Sequence, residues 1–398
     1  MTTLVPFAER QNITMIMRNA LSWLVALALS LPGCALPGAA RRTAPLKYGM
    51  QEIFEMAESY DYDVSEAIRL TGALGAKSFR LNLPIRNGLM LSPTEMAPAL
   101  KEKYTKWIAE LYAAGVTQVI IQNEEWLLAD NSCSATLVPE IDGSESSDYA
   151  EFMARMEAMW YTMALNFPQV SHWQPGNEIS HVLKMYENRP REEGIRITVD
   201  IMYYANRGIK RANPGAVTIM PALAPVNGIA AIAEELEAIY EIIESGESLS
   251  GSADKRDYFD ALAWHPYVDG GGRPDCKWVK ANNTVYDVAK AHGDDGIKVF
   301  LTEFGWPDNG EAKRDRKQAI WFWYAYHLVK TKMPYVEAMH VYCLLEYSDW
   351  SDEVNFPGIS FTYGIFKPVN RQYVPKRQAY AIRFIFGGTG DIRPRAWA

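Results

Sequence analysis

Between residues 47 and 387, short apolar runs alternate with longer amphipathic stretches, and the alternation repeats eight times. The apolar runs are read as strands over 48–51, 77–81, 118–122, 172–175, 217–221, 261–264, 298–302 and 338–344. Between them, apolar residues recur at the 3.6-residue period of a half-buried helix. In the clearest case Leu100, Tyr104, Trp107, Ile108, Leu111 and Tyr112 share one face, with lysines and glutamates opposite. That stretch stops at Gly115, as a helix ending on glycine should. Helices are likewise expected over 234–243 and 312–329, with a closing helix over 375–385. Eight strand–helix units in succession predict an α/β fold of the TIM (β/α)8 type, a closed parallel barrel with helices outside. Neither a low-complexity linker nor a 20–50-residue repeat interrupts 43–398, so one catalytic domain is expected there.

In such a barrel reactive groups belong at the C-terminal ends of the strands. Two glutamates fall there. Glu178 follows the fourth strand in Trp173-Gln174-Pro175-Gly176-Asn177-Glu178-Ile179, and Glu303 closes the seventh in Leu301-Thr302-Glu303-Phe304-Gly305-Trp306-Pro307. Two carboxyl groups facing one another across a pocket are the minimum equipment for cleaving a glycosidic bond. One keeps its proton for the leaving oxygen; the other stays ionised to attack the anomeric carbon. Side chains two apart share a strand face. Val299, Leu301 and Glu303 are therefore expected to point one way, as are Ala263, His265 and Tyr267, and Arg80 and Asn82. Trp264, out of step with that set, is expected between barrel and helices.

Composition narrows the partner. The chain has 398 residues, is 48% hydrophobic and carries a net charge of −8. With pI near 5.4 and no basic stripe, nucleic acid is excluded as a partner. Twelve Trp, 22 Tyr and 14 Phe suit stacking on sugar rings, although most such rings in any protein are core. Neither a metal-spaced His/Cys set nor a Cys-x-x-Cys pair is present, so no metal or other cofactor is expected. Residues 1–42 read as an export signal: Arg18, an apolar run over 20–31, small residues, then Arg41-Arg42. The run falls short of the roughly 20 residues that span a bilayer. Leu31-Pro32-Gly33-Cys34 resembles a lipoprotein box, so lipidation at Cys34 stands beside plain cleavage near Ala39-Ala40. Either outcome predicts a periplasmic, extracellular or membrane-anchored protein. Cys133 and Cys276 both fall in loops and could pair there, with free thiols the favoured reading; Cys343 is read as core.

Taken together, these motifs resemble glycoside hydrolase clan A, the retaining β-glycosidases built on an eightfold βα barrel. Asn177-Glu178 is similar to the clan's acid/base motif after strand four, and Thr302-Glu303-Phe304-Gly305-Trp306 to its nucleophile segment on strand seven. Arg80 in Phe79-Arg80-Leu81-Asn82 and the pair His265-Pro266-Tyr267 match the clan's Arg after strand two and His-x-Tyr after strand six. The resemblance implies Glu178 as acid/base and Glu303 as nucleophile. It also implies that Arg80 and Tyr267 keep Glu303 anionic and that Asn177 holds the sugar 2-hydroxyl. Asn82, His265, Trp306 and Trp126 complete the expected substrate-binding set, Trp306 being equally well read as a loop anchor. Loops over 124–147 and 268–280, the latter with Trp278, are expected to overhang the site, which favours endo action on a polysaccharide. An exo-acting β-xylosidase or β-glucosidase type is the alternative.

One departure stands out. The clan carries a Trp at the end of strand eight, where this chain places Leu344 or Cys343. That puts stacking under the reacting sugar in doubt, with Tyr342, Tyr347 or Trp350 as substitutes. A catalytically silent carbohydrate-binding barrel is the reading from another class that this departure supports.

Overall fold

The computed structural model describes residues 42, 44–83, 88–123, 138–141, 147–308, 312–347 and 362–395. They belong to one compact unit, Ala40–Ala398. Its strands are β1 (Lys47–Glu52), β2 (Ser78–Asn82), β3 (Gln118–Gln122), β4 (His172–Gln174), β5 (Val217–Thr218), β6 (Ala261–Trp264), β7 (Lys298–Leu301) and β8 (Val336–Val341). The main helix after each is α1 (Val64–Leu74), α2 (Pro98–Ala113), α3 (Asp148–Asn166), α4 (Arg191–Ala212), α5 (Ile229–Ser245), α6 (Cys276–Ala291), α7 (Ala312–Lys332) and α8 (Arg377–Phe386).

All strand pairs in the main sheet are parallel, in the order β5-β4-β3-β2-β1-β8-β7-β6. Bridges Ile219↔Ala261 and Leu223↔Trp264 join its two ends, closing a (β/α)8 barrel as the alternation predicts. Helix boundaries follow local chemistry. Asp63, Ser147 and Asp275 accept from backbone N–H groups in the first turns of α1, α3 and α6, which satisfies donors a helix start leaves unpaired.

Two kinds of side chain fill the two faces of the wall. Outward residues such as Trp173 and Trp264 are fully buried under helices. Trp173 meets Trp160 edge-on at 6.3 Å, and Trp264 donates to Asn282 at 2.8 Å. Burying each such ring is worth roughly 1.5–3 kcal/mol. The lumen is instead polar, layer on layer. Toward the strand starts Lys47 reaches Gln118 and Glu337, and higher up Ser78 and His340 share a 2.8 Å hydrogen bond. Arg80 spans the upper layer.

Several expectations need correction. Phe300 faces the lumen, 5.9 Å from His172 across the barrel, so its neighbours Val299 and Leu301 turn outward. Strict alternation stops where β7 ends, and Glu303 swings inward from the irregular residues beyond. β8 ends at Val341, three residues before the expected 344. Two antiparallel hairpins escaped notice, Met90–Ser92 with Glu95–Met96 and Phe366–Pro368 with Tyr373–Pro375. The second takes Pro375 out of the closing helix, which starts at Arg377. Cys276 is disulfide-bonded rather than free; its partner lies outside the described residues, as Cys133 does. Cys343 is a buried free thiol.

The lumen layers leave little space on β1. Gly49 pairs with His340, whose ring stands 2.3 Å from where a Cβ would be. We expect Gly49→Ala to cost about 1–3 kcal/mol through overpacking. Urea unfolding at equilibrium measures it; an unchanged midpoint would contradict the described packing.

Candidate active site

Glu178 is placed by a turn that the sequence makes unusually tight. After β4, Gly176 adopts φ 100°, and a Cβ there would lie 2.4 Å from Ile179. Asn177 bridges to Ala222, and the Glu178 N–H donates to the Ala222 carbonyl at 3.0 Å. Glu178 itself sits in the left-handed region at φ 50°, ψ 37°, capping the short helix Ile179–Glu187. A non-glycine residue held there costs on the order of 1 kcal/mol or more, which the surrounding structure must offset. The turn lifts the carboxyl out of the wall, leaving its side chain 23% exposed.

Glu303, 9% exposed, is enclosed by donors. Its Oε1 accepts from Arg80 Nη1 at 2.6 Å and Gln51 Nε2 at 3.1 Å, and its Oε2 from the Tyr267 hydroxyl at 3.0 Å. Arg80 is fully buried and spends every arm. Its Nη1 also donates to Gln51 at 2.7 Å, its Nε to Gln174 and its Nη2 to Asn177 Oδ1, both at 2.7 Å. One guanidinium thus ties β1, β2, β4 and the residues after β7. Burial alone would raise the Glu303 carboxyl, but the charges of His265 and Arg80 and the hydrogen bonds from Gln51 and Arg80 outweigh it, and the group titrates below its ordinary value. Tyr267 moves the opposite way, pushed well above its usual value by burial and the Glu303 charge.

His265 links the two acids. Its Nδ1 lies 2.6 Å from Glu178 Oε1 and 3.7 Å from Glu303 Oε2. Because one atom is common to both distances, the two oxygens stand no further apart than their sum, 6.3 Å. Carboxyl pairs that attack directly lie about 5–5.5 Å apart, and pairs with a water between them about 6.5–9.5 Å apart. A limit of 6.3 Å on one oxygen pair is compatible with the closer arrangement.

Glu178, Glu303, Arg80, Asn177, His265 and Tyr267 therefore converge. Asn82 occupies the lumen face one step above Arg80, buried and in register with Gln122, but makes no bond to either acid. Trp306 is only 3% exposed, packed by Phe304, Trp321 and Phe322, and donates to the Gly272 carbonyl at 3.1 Å. It anchors a loop and offers no stacking face. Trp278 does not overhang either: it is buried in the first turn of α6 and donates to the Pro266 carbonyl. Trp126 and Trp350 lie outside the described residues.

Three groups were missed or misplaced. Gln174 supports the pair through Arg80, and Gln51 both through Arg80 and directly at Glu303; each was a polar residue at the top of an apolar run, in step with the lumen face. At the end of β8 the aromatic is Tyr342, the first residue past the strand. Its ring, half-buried, meets Tyr363 edge-on at 5.4 Å, and Tyr363 meets Tyr267 at 6.1 Å. Leu344 is fully buried, and Tyr347 is buried with its hydroxyl on Glu52, so neither substitutes for it. A separate groove of about 720 Å³ between α4 and α5, lined by Glu192, Glu193, Arg196 and Glu241, shares no residue with this cluster.

No protein-family model matches the chain, and no curated protein matches it in sequence. Solved structures do match in fold. A family 39 glycoside hydrolase from the gut symbiont Bacteroides cellulosilyticus WH2 aligns with TM-score 0.60 at 15% identity, covering 89% of this chain and 65% of that one. The exo-beta-1,4-mannosidase Op5Man5 from Opitutaceae bacterium strain TAV5 aligns with TM-score 0.59 at 15% identity, covering 88% and 62%. A mutated endo-beta-1,4-glucanase from Xanthomonas axonopodis pv. citri aligns with TM-score 0.55 at 12% identity, covering 86% and 99%. The chain thus spans just under two thirds of the first two. The barrel is the fold of these glycoside hydrolases.

The Arg80–Glu303 pair gives a signed pH test. Because the folded value of Glu303 is lowered, its contribution to stability is fully present above the ordinary 4.5 and is lost as pH falls through the folded value. Arg80→Gln removes the cation but keeps the burial, which should cost about 3–5 kcal/mol near neutral pH. The gap to the parent should narrow in acid, where Glu303 is protonated in both. Urea unfolding across that range checks this; a constant gap would count against the pair.

Proposed function

We propose that this chain is an exported retaining β-glycoside hydrolase working by double displacement. The observation that carries the reading is the single imidazole nitrogen of His265 within 3.7 Å of both carboxyl groups, one cradled by cations and donors, the other partly open. In the first step Glu178 passes its proton to the glycosidic oxygen as the aglycone leaves. Glu303 attacks the anomeric carbon, forming a glycosyl ester. Esterification removes the negative charge of Glu303. Glu178 then takes a proton from water, and the resulting hydroxide equivalent releases the sugar with its β configuration retained.

The environment of each acid suits its role. Arg80, Gln51 and Tyr267 stabilise Glu303 as the ionised attacking group. Asn177 has its Oδ1 committed to Arg80, which leaves its Nδ2 as the donor for a sugar 2-hydroxyl. The half-buried Tyr342 supplies an aromatic face where the clan's Trp would stand, and this weakens the reading of a silent binding barrel. Endo action on a polysaccharide is the favoured form of the reading. Among the described residues the loop after β6 packs on Trp306 through the Gly272 carbonyl and buries Trp278, so it does not supply the overhang on which endo action was argued, and the exo-acting form stays as the alternative. Export rests on the signal-like residues 18–42, and the disulfide at Cys276 suits the oxidising compartment they would reach.

A panel of activated 2-deoxy-2-fluoro β-glycosides tests the assignment. Mass spectrometry of the inactivated protein should find the sugar on Glu303. Glu178→Gln should cut kcat by about 10²–10⁴-fold on substrates whose leaving group needs a proton, and much less on dinitrophenyl glycosides. Labelling at another residue, or none with any sugar on the panel, would remove the proposal. Product sizes from soluble β-glycans separate endo from exo cleavage.

A further inference from the structure

Beyond Met50↔Val341 the ladder between β1 and β8 loses its regular step. Leu344 N–H donates to the Gln51 carbonyl at 3.1 Å, so Tyr342 and Cys343 are looped out of the ladder. The next donor, Leu345 N–H, meets no backbone carbonyl. It donates instead to Glu52 Oε2 at 2.7 Å. Glu52 Oε1 accepts from Ile53 N–H at 2.8 Å and from the Tyr347 hydroxyl at 2.6 Å. This carboxyl is 1% exposed and has no ion pair among the described residues. The adjoining cavity, about 10 Å³, is too small for a ligand, so the group is built for holding rather than binding.

What it holds is the support of the nucleophile. On one side, its chain neighbour Gln51 bonds Glu303 and Arg80 directly. On the other, Tyr342 N–H donates to the Phe304 carbonyl at 3.0 Å, and the Tyr342 carbonyl lies 2.3 Å from where a Cβ on Gly305 would be. The looped-out pair therefore rests on the two residues that follow Glu303. We propose that Glu52 is a positioning residue for Glu303: from outside the barrel wall it fixes both Gln51 and the Tyr342 loop, bracketing the nucleophile between them. The proposal rests on reading Glu303 as the nucleophile.

The bracket needs an acceptor on both oxygens, and only the carboxylate provides that. Burial pushes Glu52 up to about 7, with the Tyr347 hydroxyl and backbone N–H groups pulling the other way. The groups facing it are Tyr347, the Cys343 thiol and the Glu346–Lys376 ion pair, with Tyr373 from the hairpin and Arg80 and Glu303 beyond Gln51. Protonation would set a fourth donor among three. Activity and stability should thus respond oppositely. Since the folded value is raised above 4.5, the stability contributed by the protonated group is fully present below 4.5 and is lost by the time pH has climbed through about 7, where ionisation completes the bracket.

The test compares parent, Glu52→Gln and Tyr347→Phe in the rate at which a dinitrophenyl 2-deoxy-2-fluoro β-glycoside labels Glu303, alongside thermal unfolding. Glu52→Gln should label about ten- to hundredfold more slowly at alkaline pH, the cost of a small misplacement, with the deficit shrinking in acid. Its stability relative to the parent should meanwhile improve toward alkaline pH. A purely structural role would make the two trends run together. Tyr347→Phe removes a donor that holds Glu52 down, so the step should move to higher pH. Equal labelling rates at every pH, or a deficit that tracks unfolding, would overturn the inference. A parent that is never labelled overturns the glycosidase reading instead. The bracket can still be judged then from a crystal structure of Glu52→Gln, in which an unmoved Tyr342 loop and Gln51 overturn it and a displaced one upholds it.

Discussion

The buried Arg80–Glu303 ion pair is the constraint to which the rest of the upper barrel answers. A guanidinium fully out of water, touching a carboxylate of 9% side-chain exposure, is tolerable only when every remaining donor and lone pair is met. Gln51 from β1, Gln174 from β4, Asn177 from the turn after it and Tyr267 from the loop after β6 supply partners to the pair. Satisfying one cation thus fixes the relative heights of β1, β2, β4, β6 and β7. Such a lumen gains little from hydrophobic burial. The stabilising apolar surface lies outside the strands, where Trp173 and Trp264 pack under helices, so the site carries its polar cost on a wall stabilised elsewhere.

That division of labour explains what was legible in the chain. Outward positions and amphipathic helices obey hydrophobic periodicity, so eight units, and the near ends of most strands, could be read directly. β3 and β6 match the expected 118–122 and 261–264 residue for residue. Both acids were legible as well, since each follows an apolar run and opens a turn marked by glycine and aromatics. The supporting amides were not. Gln51 and Gln174 gain meaning only from the cation they face, and that cation lies on another strand.

Errors gather where the backbone leaves its period. Alternation carried forward from Val299 put Glu303 on the right face for the wrong reason, because the strand ends at Leu301 and the irregular step beyond reverses the facing. At β8 an apolar run continuing to Leu344 read as strand, although two of its residues are looped out and the acceptor beyond the gap is a side chain from β1. Trp306 was open between a sugar platform and a loop anchor, and the anchor is what is found. Its place beside Glu303 suggested a platform as readily as an anchor, yet packing by aromatics and the Gly272 carbonyl decided its fate, and of those partners only Phe304 is near in sequence.

On the proposed reading the two acids are chemically alike, so their division into attacker and proton donor would come from their surroundings. Glu303 has a cation, an amide and a phenol aimed at its oxygens. All three strengthen as negative charge accumulates, and a proton arriving there would displace them. The Glu178 carboxyl has one bonded partner among the described residues, His265, and sits on a left-handed turn with its side chain 23% exposed. An acid so placed can exchange protons with water between steps, whereas the enclosed one cannot. Reversing the roles would require Glu303 to release a proton past Arg80 and would leave Glu178 to attack without a cation beside it. The asymmetry of enclosure, more than the residue type, therefore sets the direction of the chemistry.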